Sequence, residues 1–413
     1  MAEGPSMTSP QAQPISVVGI GADGWAGLSE SARVIVTEAD VVFGSRRQLD
    51  STPVPPEKAR RWPTPLVPSL RTSFAEWHGR RICVLASGDP MFHGIGVTLA
   101  REFGAARLHV VPAPSSVSLA CARLGWAVHE VVTVNLVNTA PSTLVAALAD
   151  RARIVVLSRD QDTPAAVAEK LCEAGYPASS MTVLEQLGGP SEHSVAGEAG
   201  SWNHSAGDPL NVVAIDCVAD DRSGRLTRVP GLPDDAYSGD GQLTKAEVRA
   251  LTVSALAPAP GELLWDVGGG SGSISIEWMR THPRCRATTF ESIDARRAQI
   301  DANASALGVP SLRVLGRAPA AFEEVPDDVP DAVFIGGGLT SDAMVDVCWE
   351  RLRVGGRLVA NAVTAESESL VLDCVSKFGG SLRRFQIYRA EALGSFTGWR
   401  PHMPVTQWTA VKR

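Results

Sequence analysis

Two stretches of this chain open in the same way, and each dictates the sheet it can begin. The first is Ile15-Ser16-Val17-Val18-Gly19-Ile20-Gly21, an apolar run ending in a glycine turn, followed by a helix-like segment from Leu28 to Ala39. The second is Leu263-Leu264-Trp265-Asp266-Val267, followed by Gly268-Gly269-Gly270-Ser271-Gly272 and a helical pattern through Met279. A short apolar strand that turns sharply into a helix is the opening unit of a parallel α/β sheet, and ligands of such sheets bind beyond the carboxyl ends of the strands. Two such openings call for two sheets with two cores. The length of 413 residues agrees, since it exceeds what one ordinary core holds.

The rest of the chain follows the same alternation. In the first half, strands are predicted at 15–20, 41–43, 82–86, 108–111, 154–157, 181–184 and 211–217, with helices between them. In the second half they are predicted at 263–267, 286–290, 311–315, 332–335 and 357–361, with two late strands at 382–388 and 406–412 closing the sheet. Short connections between alternating elements indicate parallel sheets covered on both faces. Val111-Pro112-Ala113-Pro114-Ser115-Ser116 reads as a hinge, dividing the first half into lobes of about 14–112 and 113–218. Residues 219–241 have the composition of a linker, and the second domain is expected over 242–413. Residues 1–13 are polar and read as a loose, disordered tail with no secretory signal.

Composition removes several function classes. The net charge of -7 argues against a nucleic-acid partner. No apolar run is long enough to span a membrane. Seven cysteines are scattered singly, without C-x-x-C, and the histidines include no H-E-x-x-H. We therefore expect a cytoplasmic protein with neither a disulfide framework nor a metal site.

In the second half, Gly268 to Gly272 end the first strand, and Glu291 follows the next strand, Ala287-Thr288-Thr289-Phe290. Glycines there let backbone approach a ligand closely. A carboxylate at the end of the second strand suits the two ribose hydroxyls of an adenosine. A dinucleotide loop would have a third glycine where this chain has Ser273. The G-x-G-x-G form, with Asp240-Gly241-Gln242-Leu243-Thr244-Lys245 before it and Phe334-Ile335-Gly336-Gly337-Gly338 after it, resembles the decarboxylating methyltransferase domain of cobalamin biosynthesis. That resemblance implies a Rossmann-like class I methyltransferase fold binding S-adenosyl-L-methionine. Thr244 would close over the cofactor, Gly268, Gly269, Gly270, Ser271, Gly272 and Glu291 would hold it, and Gly336 would line the same site. Where that family has an acid after the residue matching Gly316, this chain has Arg317.

In the first half, Gly19-Ile20-Gly21-Ala22-Asp23-Gly24 matches G-x-G-x-x-G and raises an NAD-dependent oxidoreductase as the alternative. The acid that should end the second strand is misplaced, because Glu38 and Asp40 precede strand 41–43. A tight turn is the simpler explanation. More informative is Leu85-Ala86-Ser87-Gly88-Asp89-Pro90-Met91-Phe92-His93-Gly94, although Asp89 taken alone would pass for a turn or cap residue. Together with Pro112 to Val117 and Ala122-Arg123-Leu124-Gly125, this string resembles the tetrapyrrole methylases, whose two-lobed class III fold binds the same cofactor between its lobes. It implies cofactor contact by Gly88, Asp89, Pro90, Met91, Ser115 and Ser116.

The two resemblances together imply an enzyme that methylates a precorrin at carbons 5 and 15 and decarboxylates its ring C acetate. The partner expected is thus a small tetrapyrrole, and the class I relatives imply a homo-oligomer built through the second domain. Many substrate carboxylates call for arginine forks. Arg46, Arg47, Arg296, Arg297, Arg383, Arg384, Arg389 and Arg400 are candidates, each equally readable as a solvated surface charge. His93 is a candidate proton carrier or a packed histidine, and Trp25 and Trp399 are candidates for stacking or plain packing. No catalytic residue emerges from the sequence.

Overall fold

The computed structural model describes residues 13–221 and 224–413; the expected tail falls almost wholly outside them. Contacts divide the chain into two compact units. One comprises the described residues up to Asn138 with Arg151–Glu169 and Pro177–Val218, and the other Thr139–Asp150, Lys170–Tyr176 and the described residues from Ala219 onward.

The first unit holds two five-stranded sheets. Its first sheet follows the order β3-β2-β4-β1-β5. The strands are β1 (Ile15–Ile20), β2 (Val41–Gly44), β3 (Ala59–Arg61), β4 (Ile82–Ser87) and β5 (Leu108–Val111). Helices α1 (Glu30–Glu38), α2 (Arg46–Asp50), α3 (Leu66–Ala75) and α4 (Ile95–Phe103) connect them. All its pairings are parallel. Period-two alternation in β1 sends Ile15 and Val17 into one apolar cluster and Val18 and Ile20 into another, so the sheet is covered on both faces.

After β5 the chain enters α5 (Ser116–Leu124), which packs on the second sheet, ordered β6-β7-β10-β8-β9. Those strands are β6 (Val131–Asn135), β7 (Arg153–Leu157), β8 (Ser180–Glu185), β9 (His193–Glu198) and β10 (Asn211–Asp216), with α6 (Thr163–Glu173) between β7 and β8. Here the expected parallel pairing is kept only between β6 and β7. β10 runs antiparallel to both β7 and β8, and β9 antiparallel to β8. No α-helix separates β8, β9 and β10, and strands joined without a crossover return antiparallel.

The second unit carries a seven-stranded sheet in the order β13-β12-β11-β14-β15-β19-β16. Its strands are β11 (Leu263–Val267), β12 (Arg286–Phe290), β13 (Arg313–Leu315), β14 (Ala332–Ile335), β15 (Arg357–Ala362), β16 (Ser381–Phe385) and β19 (Val405–Val411). Its helices are α7 (Ala246–Leu256), α8 (Ser273–Thr281), α9 (Asp294–Ala306), α10 (Met344–Arg351) and α11 (Ala365–Phe378). β11 lies among parallel neighbours, and Leu263, Trp265 and Val267 face one core while Leu264 faces the other. The Trp265 and Phe322 rings lie 4.5 Å apart, tilted by 35°. β16 and β19 form the antiparallel edge, so the late strands do extend the sheet. Between them stands a separate hairpin of β17 (Tyr388–Leu393) and β18 (Phe396–Pro401), which the sequence pattern did not single out.

Candidate active sites

In the first unit, β1 and β4 are paired so that Ile20 lies opposite Ser87, and both strands end together. The Gly88 N–H donates to the Ile20 carbonyl at 3.0 Å, placing the turn after β4 beside the turn after β1. That contact explains the first glycine of the G-x-G-x-x-G string. A Cβ on Gly19 would lie 2.4 Å from the Gly88 carbonyl oxygen and 2.8 Å from the Ala113 nitrogen. Gly19 is there for packing between the two loops.

Asp89 Oδ1 accepts from the Met91 N–H at 2.8 Å and so fixes the turn. Across from it, Ser115 caps α5 by accepting from the Ser118 N–H at 3.1 Å. Between the two sheets of this unit lies a cleft of about 470 Å³, lined in part by Gly88, Asp89, Ser115 and Ser116. Pro90 and Met91 are not among its lining residues: Pro90 is buried behind the loop and Met91 points outward, 46% exposed. Arg47, His93 and Arg159 also line it. Arg47 Nη2 donates to Ser87 Oγ at 2.9 Å, and burial lowers its pKa from the usual guanidinium value, with Asp208 opposing.

Ser158 and Asn211 line the same cleft, and the buried Ser158 Oγ and Asn211 Oδ1 find no hydrogen-bond partner among the described residues. Buried polar atoms are costly to leave unpaired, so a cleft with such atoms suits a ligand with polar groups.

In the second unit, the loops after β11 and β14 are stitched together. Gly336 and Gly337 donate to the Val267 carbonyl at 3.0 and 3.2 Å. Gly268, at φ +78°, passes so close that a Cβ on it would sit 2.5 Å from Gly337 Cα. These loops, with Thr244, Gly268, Gly269, Gly270, Glu291 and Gly336, line a cleft of about 620 Å³. Ser271 and Gly272 stand behind it at the start of α8.

Glu291 is 5% exposed, accepting from Gly270 N–H through Oε2 at 2.9 Å and from Ile293 N–H through Oε1 at 3.0 Å. Asp266 also lines the cleft, on a strand that is otherwise apolar. Burial pushes its carboxyl up to about 6; the Ser275 hydroxyl, donating to Oδ2 at 2.8 Å, works against this and the nearby Glu291 adds to it. Its Oδ1 has no partner among the described residues. The floor of this cleft therefore offers an unfilled acceptor to a cationic group.

The cleft is roofed by Gly241, Gln242, Leu243 and Thr244, and this roof is held from inside the core. Glu277 of α8, 2% exposed, accepts from the N–H groups of Gly231 (2.6 Å) and Leu232 (2.9 Å) and from the Tyr237 hydroxyl (3.1 Å). Arg249 of α7, fully buried, donates to Glu277, to Asp234, and to the carbonyls of Leu232 and Thr244. Asn303 of α9 holds Ser238, accepting from its N–H at 3.0 Å and donating to its carbonyl at 3.0 Å. The sequence offers no signal for Arg249, Glu277 or Asn303, since a charged or amide side chain in a helix reads as solvated. Asp266 does carry one, a lone acid within an apolar run.

Most arginine candidates are committed elsewhere. Arg46 pairs with Asp50, Arg297 with Asp294, Arg384 with Glu368 and Arg400 with Glu391. Arg383 donates to Gln407, and Arg389 forks onto Glu247 at 3.1 and 2.6 Å. Arg47 and Arg296 do line clefts, and so does Arg317. Trp25 packs in the first unit's core, whereas Trp399 is 74% exposed.

Comparison with known proteins agrees with this anatomy. Residues 14–202 match the family model "Tetrapyrrole (Corrin/Porphyrin) Methylases", and residues 235–412 match "Precorrin methyltransferase domain". The precorrin-6Y C(5,15)-methyltransferase [decarboxylating] of Mycobacterium tuberculosis (strain ATCC 25618 / H37Rv) is 47% identical over 97% of this chain and 100% of its own length. The Sinorhizobium protein of the same name is 46% identical over 99% of this chain and 98% of its own. A crystal structure of the C-terminal domain of the Rhodobacter capsulatus precorrin-6Y C5,15-methyltransferase is 47% identical, covering 45% of this chain and 100% of that one at a TM-score of 0.43. With both halves matched and near-full-length relatives at this identity, the chain is a methyltransferase and belongs to the precorrin-6Y C(5,15)-methyltransferase (decarboxylating) family.

Proposed function

We propose that this enzyme methylates a precorrin at carbons 5 and 15 and removes carbon dioxide from its ring C acetate, as a step of cobalamin biosynthesis, using one S-adenosylmethionine site in each unit. The observation that carries it is the pair of separate clefts, each at glycine-turned strand ends and each holding buried polar atoms without partners. The working units are domains 14–218 and 242–413, with 219–241 as connection and cover, its part from Gly231 onward held into the second unit by Glu277. The dinucleotide alternative loses its motive once Gly19 is explained by the Gly88 loop.

When bound, the cofactor supplies an electrophilic methyl group on a sulfonium. The residues of the chain align it. In the first unit, Gly88, Asp89, Ser115 and Ser116 shape the cofactor bed, with Pro90 buried behind the loop and Met91 on its exposed side. In the second unit, Gly268, Gly269 and Gly270 allow close approach, Ser271 and Gly272 start the helix behind them, Glu291 takes the ribose hydroxyls, and Asp266 Oδ1 takes the cofactor ammonium. Thr244 and Gly336 border the side from which the acceptor carbon arrives. Alignment and exclusion of water are the main contributions such a site can make to an in-line displacement, worth about 7–11 kcal/mol when the geometry is good.

We place the enzyme in the cytoplasm as a homo-oligomer assembled through the second domain. Cysteines scattered singly, with no C-x-x-C, fit a reducing compartment, and no helix among the described residues is long and apolar enough to cross a membrane. The hairpin β17–β18 exposes Leu393, Phe396 and Trp399 by 69%, 77% and 74%, which suits burial against another copy.

Titration with S-adenosylhomocysteine tests the two-site reading. The unmodified protein should bind two equivalents. Gly88→Arg should remove one and Gly270→Arg the other, because both positions have positive φ (+58° and +57°) and border a cleft. A single site insensitive to Gly88→Arg would overturn the first-unit assignment.

A further inference from the structure

A second cavity adjoins the cofactor cleft of the second unit. It has a volume of about 330 Å³ and shares Thr244, Phe334 and Gly336 with that cleft. Its lining is largely apolar, with Phe385, Ile387, Met403 and Val405 prominent.

Its polar groups are mostly committed. Asn361 donates to Thr252 Oγ1 at 2.9 Å and accepts from Gln407 Nε2 at 2.8 Å. Glu247 is forked by Arg389, and Lys245 stands 3.9 Å from Asp234. His402 differs. Its backbone is pinned on both sides, with its N–H donating to the Ile387 carbonyl at 2.8 Å and its carbonyl accepting from Gln386 Nε2 at 3.1 Å. Its imidazole lines the cavity and makes no hydrogen bond among the described residues.

We propose that this cavity receives the acetate-bearing edge of the macrocycle, and that His402 is the acid that delivers the proton replacing the lost carbon dioxide. The inference rests on the second unit carrying out methylation and decarboxylation. In the step, the bond between the methylene carbon and the carboxylate breaks, carbon dioxide leaves, and the electron pair enters the conjugated ring. When the pair returns, the methylene carbon takes the imidazolium proton and becomes a methyl group. Exchanging hydrogen for methyl on a ring carbon releases one proton, so the imidazole is recharged within the same cycle.

The surroundings suit both halves of that step. An apolar wall disfavours the localised carboxylate more than the ring-delocalised charge that follows it. Histidine is the side chain whose ordinary pKa allows it to donate and recover a proton near neutrality. The charged groups around it are Lys245 and Glu247 at the start of α7 and Arg389 on β17.

The test uses the full chain with its precorrin substrate and S-adenosylmethionine, comparing the unmodified protein with His402→Asn and His402→Gln. The expected result is a fall in carbon dioxide release of about 100-fold or more. Homocysteine-form cofactor affinity and thermal unfolding should stay unchanged, and added imidazole should restore part of the rate. In the unmodified protein, release should decline as pH rises through the histidine range, and that limb should vanish in both variants. Release within threefold of the unmodified rate, with the same pH profile in either folded variant, would overturn the role of His402. An unmodified protein that binds cofactor but neither methylates nor decarboxylates the substrate would instead overturn the underlying reading.

Discussion

The two clefts are built by opposite constructions. In the first unit the walls come from two sheets, and Gly88 after β4 packs directly on Ser115 at the start of α5, where a Cβ on Gly88 would stand 3.6 Å from Ser115 Cα. In the second unit one sheet provides the floor, and the roof is a stretch of irregular chain whose hold comes from Glu277, Arg249 and Asn303 below it. The first site is thus a product of lobe packing, and its local loops need only turn tightly. The second depends on buried polar groups remote in sequence from the atoms they position. A glycine turn can place a loop; it cannot by itself hold a lid.

That contrast can be broken most forcefully at Glu277. Glu277→Gln removes the nearer and more deeply buried of the two carboxylates that face Arg249, leaving only the longer contact to Asp234 at 3.4 Å, a change worth about 3 kcal/mol of stability. Calorimetry should show the second unit's unfolding lowered and its cofactor site weakened, with the first unit's transition and site unaltered. If both units lost stability equally, the roof would not be the local device described. A matched pair of smaller changes sharpens the comparison. Gly19→Ala meets the Gly88 carbonyl at 2.4 Å, and Gly268→Ala meets Gly337 Cα at 2.5 Å with a strained φ as well. Each should cost about 1–3 kcal/mol, read as loss of one of the two homocysteine-form binding events, and each in its own unit only.

The third prediction concerns pH. The Asp266 carboxyl is raised to about 6, so its contribution to stability is present below the ordinary carboxylate range and is lost as pH rises through about 6. A bound ammonium favours the ionised form. Cofactor affinity at the second cleft should therefore rise about tenfold as pH rises through that value, with proton release visible as buffer-dependent heat. Asp266→Asn should abolish the dependence there and leave the first cleft untouched. The smallest effect is expected on the hairpin. Phe396→Ser with Trp399→Ser should shift stability by no more than about 0.5 kcal/mol and leave both cofactor sites intact, while sedimentation should report a smaller assembly.

Much of the second unit could be read from the chain because its strands and glycine loops follow one another in sequence. β11, β12, β14 and β15 fall close to their expected bounds, and Glu291 stands where β12 delivers it. The first unit was less open to such reading. β3, β6 and β9 are short or half-exposed, so period-two patterning was weak, and the antiparallel return of β10 depends on a missing helix. The arginine candidates show a further limit. Arg389 and Arg384 have the composition of carboxylate grips, yet their partners are this chain's own Glu247 and Glu368. Charge type is visible in sequence, whereas the partner it finds depends on strands far apart in the chain. Ser158 and Asn211 gave no signal at all, since an isolated serine or asparagine at a strand end looks like any turn residue.

The attachment of Gly231 and Leu232 to Glu277 has a consequence for how this chain can be divided. A fragment starting at Gln242 would carry the whole glycine loop and every strand of the second sheet, and would still lack three of the donors that Glu277 and its neighbourhood were built around. Each lost bond to a buried carboxylate is worth about 1.5–3 kcal/mol. A gene split into two separate enzymes would keep the second one sound only if the cut fell upstream of Gly231, which makes the modest stretch before the roof part of the inheritance of one module and not a spacer shared by two.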